Sequence, residues 1–362
     1  LVGCKDDDDD EVKVSGTISV GSTTELDQTF WTTVWGNNGA NAKIRELIHG
    51  YSTVVLTKDN KYELDKTVVK NLTTTENADG GKTYTFEINE GLKWSDGQPI
   101  TAKDFVGASL LLGNPVFYQV AEKALSVTGI VEGSVEYAED ASGLAEYNGI
   151  DLLGDYKFSV TINATNRYGE PNYPYYYEWS YYSTAPYPMH VLLPGVTIEQ
   201  GTNGAKLSGV TSEELLNIIE KSVEGDGAGY RYNPSVSCGP YKFYSYNAET
   251  STATVVANPE FAGDYTGQKA QIETIILKYV TSDTQLEALK NGEVDLIEQI
   301  SGGVEINAAL AEVSSSNGQL NYTTFSRSGY GVLAFHSDHS PTRFTEVRQA
   351  IAYLLNRQNF MD

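Results

Sequence analysis

Alternating polar and apolar residues predict β-strands at several separated places in the chain. Thr83–Ile88 and Asp155–Ile162 alternate with the period of two that is typical of a half-buried strand. Ile272–Val280 is rich in β-branched residues and predicts a long strand, and Gly16–Val20 predicts the first strand. Because these segments are far apart, any sheet that joins them is built from distant parts of the sequence.

Apolar residues at helical spacing predict helices at Asn41–His49, Ala102–Leu112 and Thr345–Asn356. Two further patterns, Thr101 with Asp104 and Thr211 with Glu214, are capping boxes, in which a threonine and an acidic residue three positions later satisfy backbone N–H groups at a helix start. The sequence therefore predicts helices that begin directly after Thr101 and Thr211.

Residues 272–297 predict a strand–helix–strand unit. After Ile272–Val280, a helix is expected from Ser282 to about Asn291, and Val294–Ile297 then forms a short buried strand. This order favours a parallel arrangement of the two strands. Tyr241–Tyr246 and Ala253–Ala257 are expected to pair as a hairpin, and Gly331–His336 is predicted to be a strand.

Composition narrows the classes of protein that remain. With 362 residues the chain exceeds the roughly 250–300 that one core usually supports, so two or more lobes are expected. The 25 basic and 48 acidic side chains give a net charge of −23, which excludes a nucleic-acid partner. The sequence contains no run of about 18 apolar residues that would span a membrane.

Catalytic and metal-binding motifs are missing from the sequence. It contains no G-x-S-x-G, H-E-x-x-H, Walker A or C-x-x-C pattern, and no cofactor is expected. His336-Ser337-Asp338-His339 is the one histidine cluster, and a polar turn is favoured there over a metal site. Cys238 stands beside a Gly-Pro turn, where a buried thiol is favoured over a nucleophile.

One stretch, Glu90–Phe105, combines a strand end, an Asp-Gly turn, a proline and a capped helix. Together with four later segments it resembles the bacterial family 5 extracellular solute-binding proteins, which are the binding subunits of ABC importers. The later segments are Gly239–Phe243, Asn258–Phe261, Leu286–Asp295 and Val347–Ala352. They follow the family's order over most of the chain.

The resemblance implies an α/β fold, the bilobal type II periplasmic-binding-protein-like fold with an extra small domain. The implied domains are an N-terminal tether, a first lobe in two segments, a small domain packed on that lobe, and the start of a second lobe that is incomplete at the C-terminus. Their boundaries are 1–15 for the tether, 16–50 and 155–270 for the first lobe, 51–154 for the small domain and 271–362 for the second lobe.

The family also implies candidate ligand-binding residues. In the family the segment after the first strand lines the ligand cleft, and here it carries three large aromatic residues; packing inside the lobe's own core is the alternative. The candidates are Phe30, Trp31, Trp35, Tyr330, Phe335, His336 and Asp338. The tyrosine-rich segment 173–187 is expected to be mainly structural.

At the N-terminus, Leu1-Val2-Gly3-Cys4 resembles the end of a bacterial lipobox, which predicts lipidation at Cys4 after removal of a signal peptide. An acidic tract, Asp6–Glu11, then predicts an extended tether, with a calcium site as the alternative. The expected location is the outer face of the bacterial cytoplasmic membrane.

Two classes of function remain open. The first is a monomeric, non-enzymatic lipoprotein that closes around a solute and presents it to ABC permease subunits. The ligand is a peptide, with its ends held by residues such as Asp338, Arg327 and Arg343, or an oligosaccharide stacked on Trp31, Trp35 and Tyr330. The second is an extracellular hydrolase on a similar frame, which would need two converging groups with perturbed pKa values.

Overall fold

A computed structural model describes residues 14–59, 61–172, 183–324 and 332–356. The chain divides into two compact units, Leu1–Ile300 and Ser301–Asp362. The two units are described separately below. Most of the secondary structure lies in the first unit.

The strands of the described residues follow in chain order. They are β1 (Thr17–Ser22), β2 (Val54–Leu56), β3 (Tyr62–Leu64), β4 (Val69–Glu76), β5 (Lys82–Ile88), β6 (Ile150–Gly154), β7 (Lys157–Ile162), β8 (Thr197–Gln200), β9 (Ala205–Ser208), β10 (Tyr241–Asn247), β11 (Thr252–Ala257), β12 (Thr274–Tyr279) and β13 (Leu296–Ile297). The strands predicted near the N-terminus and near residues 85, 158 and 276 are confirmed within a few residues.

The α-helices are likewise numbered in chain order. They are α1 (Gly39–Ile48), α2 (Ala102–Leu112), α3 (Pro115–Val120), α4 (Ser134–Glu139), α5 (Met189–Leu192), α6 (Ser212–Ile219), α7 (Gln285–Lys290), α8 (Gly303–Ser315) and α9 (Thr345–Leu354). Helices α2 and α6 begin directly after Thr101 and Thr211, which confirms both predicted capping boxes.

In the first unit, β1 lies inside a sheet of order β10-β11-β12-β1-β13. It pairs in parallel with β12, with Thr17 opposite Thr274, and with β13, with Val20 opposite Leu296. The predicted hairpin of β10 and β11 is confirmed as an antiparallel pair. The predicted strand–helix–strand unit is also formed, but β1 lies between its two strands, so they are parallel without pairing to each other.

A second sheet of the first unit has the order β4-β5-β7-β6 and is antiparallel throughout. Helix α2 packs on it through apolar side chains. The Phe105 ring stacks on Phe158 at 5.3 Å between ring centroids, and Phe158 stacks on Phe86 at 5.2 Å. These rings belong to the larger of two hydrophobic cores, and the smaller core lies where α1 packs on β10 and β11.

Two of the predicted domain boundaries differ from these sheets. A boundary between 154 and 155 separates β6 from β7, although the two strands form one hairpin. A boundary at 271 assigns β12 and β13 to a second lobe, although both pair with β1. Sequence patterns locate strands but not their distant partners, so residues 274–297 belong with the first unit. The other boundaries stay predictions.

The described part of the second unit contains α8 and α9, and neither helix has a buried residue. Helix α9 confirms the helix predicted from Thr345. The strand predicted at Gly331–His336 is not confirmed, because Val332–His336 has no regular secondary structure. Gly331 lies outside the described residues.

Candidate functional site

The candidate site begins at the carboxyl end of β1. In sheets with parallel strands, ligands bind in the crevice beyond the carboxyl ends of the strands. The chain leaves β1 at Ser22 and β12 at Tyr279, at the same edge of the sheet because the two strands are parallel. The segment that follows β1 carries the predicted aromatic residues. It forms a short 3₁₀ turn at Thr33–Trp35, whose start is capped by the Thr32 side chain.

Trp31 lies at the centre of an aromatic cluster in the larger core. Its ring meets Phe117, Tyr187 and Tyr230 edge to face at 5.4 to 5.6 Å between centroids. Only 1% of Trp31 is exposed. Its indole N–H has no hydrogen-bond partner among the described residues.

Trp35 forms the outer layer of this cluster. It is partly buried, and its ring lies 6.1 Å from Trp31. The Arg231 guanidinium carbon lies 4.5 Å from the Trp35 ring centroid, a cation–π contact. The same guanidinium donates to the Glu224 carboxylate at 3.0 Å, and the Tyr232 hydroxyl donates to Glu224 at 2.9 Å. An aromatic face, a cation and an anion thus lie side by side.

Phe30 lies in the smaller core instead. It has no exposed surface and packs against Phe243 at 5.0 Å and Tyr246 at 5.4 Å. The structure therefore favours the core-packing alternative for Phe30 and Trp31. A fully buried ring does not reach a solute in this arrangement, so of the three predicted rings Trp35 is the candidate for ligand contact.

Sequence reasoning missed His49, which lies just after α1. Its ring packs between Tyr187 at 5.8 Å and Tyr230 at 6.5 Å. Burial, with a smaller contribution from the Arg45 charge, lowers the pKa of His49 to about 3. Neither ring nitrogen has a hydrogen-bond partner among the described residues. His49 is therefore a neutral part of the cluster.

Arg231 and Glu224 were also missed. Both are far from the aromatic segment in sequence, and Glu224 ends a π-helical turn that continues α6. The interleaved Tyr230-Arg231-Tyr232 is the signal that was available, because a cation between two aromatic residues is typical of stacked recognition surfaces. Only the fold brings this tripeptide to Trp35.

The signature loop after β5 connects elements of the first unit. Ser95 N donates to Ser237 O at 2.8 Å, and Ser237 N donates to the Ser95 hydroxyl at 3.0 Å. Asp96, in the predicted turn, lies 2.9 Å from Nε2 of His190. Glu90–Phe105, the stretch with which the family resemblance begins, thus connects the loop before β10 with helix α5. Its role in these contacts is structural.

Cys238 has the buried environment that the sequence predicted. It has no exposed surface, and burial raises the pKa of its thiol to about 12, which makes it a poor nucleophile. Next to it, a Cβ on Gly239 would lie 2.3 Å from the carbonyl oxygen of Leu47. Glycine is therefore required where this loop crosses the end of α1.

The remaining predicted ligand residues lie in the second unit. Phe335 is partly buried, while His336 and Asp338 are exposed. The Nδ1 atoms of His336 and His339 lie 3.0 Å apart within a turn, as the polar-turn interpretation expects. Tyr330 and Arg327 lie outside the described residues, as does Cys4. Ligand contacts by these residues stay predictions.

Two searches of the described residues complete the description. None of the helices there is both long and apolar enough to cross a membrane. Over the same residues, no group of three or more His, Cys, Asp or Glu side chains is arranged to hold a metal ion.

Comparison with solved structures gives the fold. NikZ from Campylobacter jejuni in complex with Ni(L-His) matches with a TM-score of 0.54 and 16% identity, covering 94% of this chain and 54% of that one. Lactococcal OppA, complexed with an endogenous peptide in the closed conformation, matches with a TM-score of 0.53 and 15% identity, covering 83% of this chain and 48% of that one. The predicted α/β fold of family 5 periplasmic binding proteins is therefore confirmed.

Sequence comparison gives the family. The oligopeptide-binding protein OppA of Bacillus subtilis (strain 168) is 22% identical over 288 residues, which are 79% of this chain and 44% of OppA. The chain thus spans less than half the length of that relative. A family model described as bacterial extracellular solute-binding proteins, family 5 Middle, matches residues 67–362. Because this match covers most of the chain, the protein belongs to the family 5 bacterial extracellular solute-binding proteins.

Proposed function

We propose that this protein is the substrate-binding subunit of an ABC importer and captures a dissolved solute outside the cytoplasmic membrane without altering it. The match of residues 67–362 to the family 5 model carries this proposal. The open classes of function were a binding protein and a hydrolase, and family membership favours the binding protein. Catalysis is not part of the proposal.

The proposed ligand is a peptide, held in a cleft between two lobes. Two proteins similar to this chain are named as oligopeptide-binding or as peptide-bound OppA. The layer of Trp35, Arg231 and Glu224 supports a peptide ligand. Its aromatic ring suits the side chains of a peptide, and its cation and anion suit the charged groups of a peptide.

An oligosaccharide is the alternative ligand within the same family. It was expected to stack on Trp31, Trp35 and Tyr330. Trp31 is buried, the Arg231 guanidinium lies over the ring of Trp35, and Tyr330 lies outside the described residues. These contacts favour the peptide. NikZ, whose structure holds Ni(L-His), shows that the same fold accepts other solutes.

The remaining parts of the proposal concern attachment and partners. We propose that Cys4 carries a lipid, that residues 1–15 tether the body to the outer face of the membrane, and that a monomer delivers its ligand to ABC permease subunits. The net charge of −23 supports a tether, since an acidic body is repelled by an anionic membrane surface.

The test is mass spectrometry of small molecules that co-purify with the full-length protein, followed by calorimetric titration with the peptides found. A family of peptides released on denaturation is the expected result. An oligosaccharide in their place would overturn the ligand assignment. Conversion of the bound molecule during incubation would overturn the assignment as a binding protein.

Replacement of Trp35 by Ala tests the site. We expect about tenfold weaker peptide binding, because the ring that holds the Arg231 guanidinium beside Glu224 is lost. The matched control is Tyr244→Ala, which removes an aromatic ring that is 69% exposed on β10. Equal affinity in both variants would show that Trp35 is not part of the ligand site.

A further inference from the structure

A cavity of about 340 Å³ lies beside the antiparallel sheet, away from the aromatic cluster. It is lined by residues of segments 129–136 and 163–167 and by Asn148. This volume is at the lower end of the range of about 300–1,000 Å³ that is typical of small-molecule sites. None of its lining residues belongs to the cluster around Trp31 and Trp35, so it is a separate feature.

Backbone hydrogen bonds fix the walls of the cavity. Asn163 N donates to Ile130 O at 2.9 Å, and Arg167 N donates to Thr128 O at 2.9 Å. The Asn163 side-chain amide also donates to Gly129 O at 2.9 Å. The two lining segments are therefore held against each other by main-chain contacts, and the cavity is formed in advance of any ligand.

Close contacts between the walls require glycine. A Cβ on Gly149 would lie 2.5 Å from the carbonyl oxygen of Glu132. Gly133 has φ +68°, and a Cβ there would lie 2.9 Å from the Cβ of Asn148. The sequence thus places glycine where the two sides of the cavity meet.

Several polar side chains on the walls are available to a ligand. Those of Glu132, Asn148 and Thr165 form no hydrogen bond or ion pair with another described residue. Ser134 is buried on the same wall, where its hydroxyl lies next to the Tyr147 hydroxyl. The exposed carboxylate of Glu132, amide of Asn148 and hydroxyl of Thr165 are therefore left to bind a polar molecule.

The charge around the cavity is negative. Glu132 and Glu136 line it, and Asp79 and Asp151 lie close enough to Glu132 to add to its burial in raising the pKa of that carboxyl. Arg167 is the basic residue on the wall, and its guanidinium donates to a backbone carbonyl at 3.0 Å. A cationic ligand relieves the repulsion among the carboxylates.

We propose that this cavity is a second binding site, which takes a small organic ammonium compound that also carries hydroxyl groups. The ammonium group pairs with Glu132, and the hydroxyl groups bind Asn148 and Thr165. The site is independent of the proposed peptide cleft, so either assignment can fail without the other.

The experiment is calorimetric titration of the full-length protein with glucosamine and, separately, with glucose. Glucose has the same ring, with an uncharged hydroxyl group in place of the amine. We expect glucosamine to bind at least about tenfold more tightly, because a charged hydrogen bond is made only with the amine. Glu132→Gln should remove this preference.

Glu139→Gln is the matched control. It removes the same charge from the exposed end of α4 but does not line the cavity. Unchanged binding of glucosamine by Glu139→Gln and by Trp35→Ala supports the proposal. Equal weakening in Glu132→Gln and Glu139→Gln would assign the binding to the general acidity of the chain. Loss of binding in Trp35→Ala would place glucosamine at the other site, and no binding to the folded protein would remove the site altogether.

Discussion

The N-termini of α2 and α6 carry the same motif in opposite surroundings. In each, the carboxylate at the third helical position accepts from the backbone N–H of the capping threonine at 2.8 Å, Asp104 from Thr101 and Glu214 from Thr211. Asp104 is 6% exposed and lies in the larger core, whereas Glu214 is exposed. The two carboxylates thus accept the same backbone hydrogen bond but differ in their exposure to solvent.

The two carboxyls respond in opposite directions. Burial raises the pKa of Asp104 to about 6, even though hydrogen bonds from Thr101 and Met189 act to lower it. The pKa of Glu214 is lowered by its hydrogen bonds to Thr211, because little desolvation opposes them. A capping box therefore specifies where a helix begins, and burial decides what the acidic residue does to stability.

The largest difference is expected between a fully buried side chain of α2 and a partly buried one of α6. Phe105 of α2 has no exposed surface, so Phe105→Ala should lower the free energy of unfolding by about 3–5 kcal/mol through lost burial and a cavity. Leu216 of α6 is partly buried, and Leu216→Ala should cost about 1 kcal/mol. Urea titration of the full-length protein measures both. Equal losses would mean that the Leu216 side chain is as deeply packed as that of Phe105.

The second effect is the pH dependence due to Asp104. Its raised pKa means that the folded state holds this proton between about pH 4 and 6 while the unfolded state releases it. The contribution of Asp104 to stability therefore decreases as pH rises through 6, by up to about 3 kcal/mol for a shift of about two units. Asp104→Asn keeps an acceptor oxygen for Thr101 and should remove this slope. A slope between pH 4 and 7 identical to that of the wild type would contradict the assignment.

The capping threonines should behave alike. Thr101→Ala and Thr211→Ala should each lower the free energy of unfolding by about 1 kcal/mol, because each removes a hydroxyl that donates to the carboxylate at the third helical position. Thermal unfolding of both variants, compared at one pH, measures this. A much larger loss of stability at Thr101 would show that burial strengthens the capping interaction, in addition to raising the pKa of Asp104.

The smallest effect should come from Glu214. Its lowered pKa gives stability that is present above the unfolded value of 4.5 and is lost as pH falls through the folded value, which is the reverse of Asp104. Glu214→Gln should slightly reduce stability at pH 7 and leave it unchanged at low pH. Urea midpoints at pH 3 and 7 check the sign, and an increase in stability at pH 7 would contradict it.

Local elements of this fold were predictable from the sequence, and distant pairings were not. Thr83–Ile88 and the helix after Thr101 are encoded by short periodic patterns, and the structure has them where those patterns lie. The position of β1 between β12 and β13 depends on residues that are far apart in the chain. No local pattern carries that information, which is why β12 was assigned to the wrong side of a domain boundary.

The candidate site was predictable in part. The segment after β1 was identified, but its aromatic residues have no periodicity that separates a buried ring from an exposed one. Trp31 and Trp35 are four positions apart, and Trp31 is buried while Trp35 is only partly buried, with Arg231 over its ring. His49 has an ordinary sequence context, and its pKa falls to about 3 because the fold buries it, with a smaller contribution from the Arg45 charge.

The pairing of β1 has a consequence for how the protein is made. β1 is synthesised early, yet both of its neighbours in the sheet come from residues after 270. A nascent chain leaving the ribosome therefore holds β1 unpaired until residues 274–297 have emerged. We expect this sheet to close late, once the whole first unit is available.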